Sequence, residues 1–247
     1  LDRLSVDGDD IRRVMTRLFQ SRITALDGDL ESADDMAFEV EVMAQEQGWD
    51  ELETAALSHR ARVAYFSGQL GDAKRLSARA IEKLDARGDL RRLADCHWLL
   101  GRIGRSLGDF PAARASLEHA ESAFRALGLV VEAAECLLDL ARIARQRDQH
   151  QSAKTLIESA RTQLQRAGAR ASEASAVHDL GEIARLEGDL EDAEAHYRQA
   201  RVMFQAVGSA QSVYAELNLS AVLQARGAYD EARDLLEGAL SIGLRQG

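Results

Sequence analysis

The sequence predicts an all-α fold, an α-solenoid of six antiparallel helix-turn-helix units, and three observations carry that expectation. Glycines recur at a fixed period: Gly48, Gly88, Gly128, Gly168 and Gly208 are 40 residues apart, and Gly247 follows after 39. A second series lies midway, at Gly28, Gly68, Gly108, Gly188 and Gly227, with Asp148 standing at its fourth place. Behind each midway mark an alanine follows at constant offset: Ala33, Ala73, Ala113, Ala153, Ala193 and Ala232. A repeat of 20 to 50 residues is the signature of stacked supersecondary units. The composition agrees, with one proline, Pro111, 46% apolar residues and many Ala, Leu, Arg, Glu and Gln, all of which favour helix over strand.

Taken in order, the units span 9–48, 49–88, 89–128, 129–168, 169–208 and 209–247, within one solenoid over 1–247. Each is a pair of helices of about twenty residues with apolar positions at helical spacing, as in Leu137, Leu140, Ile143 and Ala144. Each glycine ends a helix by reaching the left-handed backbone conformation. The corner "GDLEDAE" from Gly188 packs four carboxylates behind a glycine and looks like a metal or phosphate loop. Its relatives "GDLESAD" from Gly28, "GDFPAAR" from Gly108 and "GAYDEAR" from Gly227 show otherwise. The carboxylates vary while the glycine, the apolar residue and the alanine recur, which suits a hairpin corner. Asp189 is placed to cap the following helix, with Glu191 and Asp192 in its first turn.

This pattern resembles the tetratricopeptide repeat (TPR) family, in which a large residue, Leu-Gly and a third core residue precede a turn, then Ala with an aromatic four residues later. The fifth unit matches best, with Val177, Leu180-Gly181, Ala184, Ala193 and Tyr197. The third has Leu100-Gly101, Gly104, Ala113 and Leu117, and the fourth Leu137, Leu140-Ala141, Ala144, Ala153 and Ile157. Units one, two and six depart at the Leu-Gly place, with Gln20-Ser21, Arg60-Ala61 and Leu219-Ser220. The 40-residue period exceeds the usual 34 and is similar to the long repeats of bacterial signalling proteins. The resemblance implies a right-handed superhelix whose concave face is lined by the first helix of each pair.

The charge of −10 and pI near 5.2 argue against nucleic acid or an anionic membrane as partner. No run of about 18 apolar residues marks a membrane span, and "LDRLSVDGDD" lacks the features of a signal peptide. A cytoplasmic location is expected, and the start at Leu1 suggests a piece of a longer protein. Cys96 and Cys136 are too few for a disulfide framework or a thiolate zinc site; no metal and no cofactor are expected. No nucleophile motif accompanies the six histidines, so no catalytic residue is assigned, and any catalysis is expected in a domain outside this chain. "GRIGRSLGDF" has glycines but no preceding strand, so it is no phosphate loop.

The first helices hold the binding signal. Arg22, Arg62, Arg102 and Arg142 occupy one place in units one to four, and Arg105, Arg145 and Arg185 another place three residues later in units three to five. Residues at i and i+3 share a helical face, and by the resemblance that face looks into the concave groove. Arginine suits carboxylate or phosphate because its planar fork donates two parallel hydrogen bonds. Trp98, Tyr65, Phe66, Leu138 and Tyr214 are placed to reach the groove or its wall, and Trp with Arg is a common hot-spot pairing. Asp95, Glu135, Asp139, Asp179 and Glu182 lie on the same helices and offer the competing outcome, an internal ion-pair network. The expected function is a protein-interaction scaffold that binds an acidic or phosphorylated peptide segment along these arginines. The alternative is a ligand-sensing regulatory tail of a bacterial kinase, ATPase-type transcription regulator or peptide receptor. Self-assembly through uncapped ends is a further possibility for its partners.

Overall fold

The structure is a computed structural model and describes residues 8–85 and 88–246. Among these residues there are twelve α-helices and no strand. They fall into two compact units, Leu1–Leu127 and Gly128–Gly247, divided at the joint between the third and fourth repeats. The first contains α1 (Gly8–Leu26), α2 (Leu30–Gln47), α3 (Asp50–Phe66), α4 (Leu70–Asp85), α5 (Leu90–Ser106) and α6 (Phe110–Ala126). The second contains α7 (Val130–Gln146), α8 (His150–Ala167), α9 (Arg170–Glu187), α10 (Leu190–Ala206), α11 (Ser212–Ala225) and α12 (Tyr229–Gln246). This is an all-α TPR-like solenoid architecture, with each helix packed on the next within its unit. The first helices of successive repeats also touch, α1 on α3, α3 on α5 and α7 on α9.

The helices stop where the glycine marks stand. All ten described marks have left-handed backbone, with φ between 65° and 91°; the mark at Gly247 lies outside the described residues. At Gly108 the left-handed turn lets Gly108 N–H donate to the Arg105 carbonyl at 3.1 Å and Asp109 N–H donate to that of Gly104 at 2.9 Å, closing the end of α5. The same two bonds recur at Asp148, from its own N–H to Arg145 O at 3.0 Å and from Gln149 N–H to Ala144 O at 2.9 Å. Asp148 has φ 57° and is the one described non-glycine with positive φ. The period therefore dictates the conformation even where the sequence withholds the glycine. Four of the following helices are capped by aspartate: Asp29, Asp89, Asp109 and Asp189 each accept from the backbone N–H three residues on.

Small residues bring the two helices of each hairpin together. The alanine series Ala33, Ala73, Ala113, Ala153, Ala193 and Ala232 is at most 1% exposed throughout. Facing it, a Cβ on Gly101 would lie 2.5 Å from Leu117 Cγ and 3.1 Å from the Ala113 carbonyl oxygen, and one on Gly181 would lie 2.9 Å from the Tyr197 ring. Ser21 holds the equivalent place in the first repeat and uses its hydroxyl, which donates to the Ala33 carbonyl at 2.6 Å. Around these crossings the apolar side chains fill in. Leu57, Leu76, Leu84 and Ile103 form a core in the first unit, and Ile157, Leu164 and Ile183 form one in the second. Each such side chain contributes about 1.5–3 kcal/mol on burial.

Two substitutions test this account with opposite signs. Gly101→Ala gains about 1 kcal/mol of helix propensity, but overpacking against fully buried Leu117 costs about 1–3 kcal/mol. The expected outcome is a net loss, read as a lower midpoint in urea denaturation. Asp148→Gly releases a side chain from the left-handed region and should raise the midpoint by the equivalent of about 0.5–1 kcal/mol.

Candidate binding site

The second unit shows what the repeat does with its arginines when acids are at hand. Arg142 lies on α7, and Asp139 lies three residues before it on the same helical face. Asp179 lies 37 residues after it on α9, the next first helix. Arg142 donates to Asp179 at 2.9 Å and to Asp139 at 3.0 Å. Asp179 foremost, with Asp139, holds the guanidinium above its ordinary range. Burial pushes the Asp179 carboxyl up, but Arg142 and His178 more than offset this, so it sits below the usual carboxylate range. Arg145 repeats the relation, donating to Glu182 at 3.0 Å across the same 37 residues. Glu182 also accepts from Arg185 at 3.2 Å, Tyr197 Oη at 2.7 Å and Asn218 at 2.7 Å. Arg142, Arg145 and Arg185 are thus engaged by carboxylates of the protein itself.

In the first unit, Arg22 and Arg62 lack acids at these two places. For Arg22 the place three residues earlier is Phe19 and the place 37 residues later is His59; for Arg62 these places are His59 and Leu99. Arg22 and Arg62 are both exposed, and neither has a salt-bridge partner among the described residues. Burial, with the charges of Arg62 and Arg92 nearby, holds the Arg22 guanidinium below the ordinary arginine range. Positive charge therefore accumulates locally in a chain of net charge −10.

His59 lies in the middle of this cluster and is 5% exposed. Its Nε2 is 2.9 Å from Ser21 Oγ. Because the Ser21 hydroxyl proton goes to the Ala33 carbonyl, Nε2 must carry the hydrogen and donate to Ser21. Burial, then the charges of Arg62 and Arg22, lower the His59 pKa from 6.5 to about 4. The imidazole is neutral near pH 7 and contributes no charge to the cluster.

Two cavities flank Arg22. One, of about 650 Å³, has Arg22, Leu26, Leu30, His59, Arg62 and Phe66 in its walls. The other, of about 630 Å³, is bounded by Met15, Phe19, Trp49 and Leu52, with Arg22 and Arg92 and the carboxylates Asp50 and Glu51 also in its wall. Arg92 bonds Glu51 at 3.4 Å and lies 3.5 Å from Asp89. Further along the first unit, the Arg102 guanidinium lies 5.2 Å from the Tyr65 ring centroid and 5.9 Å from that of Trp98, close enough for cation–π attraction. The Trp98 ring stands edge-on to Phe124 at 6.2 Å. Arg105 keeps a buried Nε with no hydrogen-bond acceptor. Of the other residues expected at the groove, Phe66 and Tyr214 are exposed, whereas Leu138 is 2% exposed and belongs to the core of the second unit.

The family model described as "Soluble NSF attachment protein, SNAP" matches residues 26–163, more than half of the chain. The chain belongs to this TPR-like SNAP family. Tetratricopeptide repeat models match residues 174–199 and 217–245 of the same SNAP-family chain. No curated protein matches by sequence. Among solved structures, a Rap protein complexed with Competence and Sporulation Factor is similar at 18% identity and TM-score 0.83, over 99% of this chain and 68% of that one. NprR in complex with its cognate peptide NprX is similar at 13% identity and TM-score 0.77, over 98% and 70%. A signal transduction ATPase with a tetratricopeptide repeat sensor, from Pyrococcus horikoshii, gives 14% identity and TM-score 0.71; this chain covers 37% of its length. At these identities the likeness establishes a shared fold.

Sequence reading placed all seven arginines on one functional footing and passed over His59, Phe19 and Arg92. The signal that separates them was present as the offset of 37 residues, which joins Arg142 to Asp179, Arg145 to Glu182 and Arg22 to His59. Two further features bear on the class of chemistry. Among the described residues no three His, Cys, Asp or Glu side chains are placed to share a metal ion. Nor is any described helix long and apolar enough to cross a membrane.

The His59 environment sets a pH dependence for this SNAP-family chain. Its pKa is depressed on folding, so stability is complete above about pH 6.5 and is lost as pH falls from there to about 4, while the unfolded state takes up the proton. Allowing for solvent screening, the loss is on the order of 2 kcal/mol. His59→Gln keeps a donor for Ser21 without a titrating group, and thermal melts across that window should fall less steeply for it than for the parent.

Proposed function

We propose that this chain is a peptide-binding regulatory module. In this reading an acidic or phosphorylated segment of a partner lies along the first helices α1, α3 and α5 of the first unit. Arg22 and Arg62 supply the anion-binding forks, and Arg105, Arg102, Tyr65 and Trp98 extend the surface. Arg142, Arg145 and Arg185 instead stiffen the second unit. One observation carries the reading: the places that hold Asp139 and Asp179 around Arg142 are taken by Phe19, His59 and Leu99 around Arg22 and Arg62. A ligand carboxylate would there supply what Asp179 supplies in the second unit. Neutral His59 leaves that anion its full attraction to both arginines.

The solved structures of similar fold support a regulatory setting, because a Rap protein and NprR are seen with peptide or factor bound and a third is a sensor of a signal transduction ATPase. The proposal therefore places the module in a signalling protein, where peptide capture is the input. It calls for no catalytic group in this chain.

The test is an array of glutamate-rich and phosphoserine peptides, followed by fluorescence anisotropy on the best binder. Arg22→Ala with Arg62→Ala should weaken binding about a hundredfold or more, two lost charge-assisted contacts of about 1.5 kcal/mol each. Circular dichroism should be unchanged, since neither side chain has a structural partner. Raising the salt should weaken the parent complex and affect the double variant little. Equal affinity of parent and double variant would overturn the proposal.

A further inference from the structure

Arg22 lines both of the cavities described above, so an anion held by it lies between two hollows with large apolar side chains in their walls; the one that holds Phe19 also has Asp50, Glu51 and Arg92 in its wall. On one side stand Met15, Phe19, Trp49 and Leu52, and on the other Leu26, Leu30 and Phe66. Phe19 is 62% exposed, Phe66 59% and Leu26 86%. Exposed large side chains around a hollow, with a cationic group at its rim, form a surface for an apolar side chain next to an anion. The two hollows succeed one another along the same helix pair: α1 and α3 line the first with residues 11–22 and 49–55, and the second with residues 22–26 and 59–66. The lining residues of the two are centred roughly seven positions apart on α1 and eleven on α3, which at 1.5 Å per residue is about 14 Å.

That spacing matches the side-chain repeat of an extended chain. Residues i, i+2 and i+4 of a strand point to one side, and i to i+4 spans about 13 Å at 3.3 Å per residue. We infer that the ligand of the first unit is an extended segment of the pattern large apolar, x, acidic, x, large apolar. Its two apolar side chains fill the hollows and its central carboxylate or phosphate meets Arg22, with Arg62 beside it. Charge complementarity selects this occupant: two arginines without internal partners face the hollows in a chain of net charge −10. The inference rests on the acidic-peptide reading above and adds the spacing and the apolar anchors.

Fluorescein-labelled synthetic peptides containing Phe-Ser-Glu-Ser-Leu, flanked by glycine and serine, decide it by anisotropy. Companion peptides replace the two apolar residues with serine, move the glutamate next to the phenylalanine, or set the apolar residues three, five or ten positions apart. The i, i+2, i+4 pattern should bind about tenfold tighter than every companion. Phe19→Ala and Phe66→Ala should each abolish that preference, and because both side chains are exposed, circular dichroism should stay unchanged. If all acidic peptides bind equally and still depend on Arg22 and Arg62, the pattern is wrong and the acidic-peptide reading stands. An optimum at ten positions would mean a helical ligand and would overturn the extended pattern. If no peptide responds to the Arg22 and Arg62 substitutions, both readings fall.

Discussion

The close crossing of the two helices in each repeat is the constraint on which everything else depends. It is set by small residues: an alanine at most 1% exposed on the second helix, met on the first by glycine, alanine or serine. At Gly101 and Gly181 there is no room for a further carbon atom. Because van der Waals attraction falls off within an ångström, backbones that approach this closely gain contacts along their whole length. A helix so fixed has fixed azimuth, so the residues next to the small one on the first helix are always presented in the same direction. The arginines at 22, 62, 102 and 142 each follow the small residue by one position, at Ser21, Ala61, Gly101 and Ala141. Their alignment is a consequence of packing, and only afterwards a resource for binding.

Alignment alone does not make a binding site, since a row of like charges is unfavourable unless something offsets it. The two units answer this differently. In the second, carboxylates at −3 and +37 close on Arg142, and Glu182 draws in Arg145, Arg185, Tyr197 and Asn218. Removing one member of such a network would leave a buried charge unpaired, which costs far more than an exposed pair contributes. Around Arg22 and Arg62 the corresponding places carry rings and an aliphatic chain. There burial foremost, and then the nearness of Arg62 and Arg92, holds the Arg22 guanidinium below the ordinary arginine range; a nearby anion would favour its charged form.

Much of the fold was legible because it is written in residues whose conformational demands are local. A glycine every twenty residues specifies a left-handed corner, and an alanine at constant offset specifies a crossing. Asp148 is the instructive exception: aspartate tolerates the left-handed region less readily than glycine, yet the period places it at φ 57°, and the bonds at Arg145 and Ala144 hold it there. The candidate site was half legible. Composition and spacing identified the arginine rows, but whether Arg142 or Arg22 is engaged depends on the residue 37 positions away. That number is the 40-residue repeat less the three residues of one helical step, and it appears only once stacked first helices are treated as neighbours. Leu138 shows the other limit, since a leucine on a first helix can face either the open side or the core, and only the packing of α7 decides.

The repeats then act as controls for one another. Arg22, Arg62 and Arg142 share sequence context, helix position and distance from the hairpin corner, so their difference in partners cannot come from the backbone. It comes from single exchanges: Asp at 139 and 179 against Phe19, His59 and Leu99. Two of the exchanged residues, Phe19 and His59, also line the cavities beside Arg22. The substitutions that remove the internal anion thus create the apolar walls beside the charge. An apolar wall raises the strength of a nearby charge–charge contact by excluding water, and a neutral histidine in that wall adds no competing charge. Loss of the carboxylate and gain of the hollow are one structural change with two effects, and on the proposed reading both favour an anion that arrives attached to an apolar side chain.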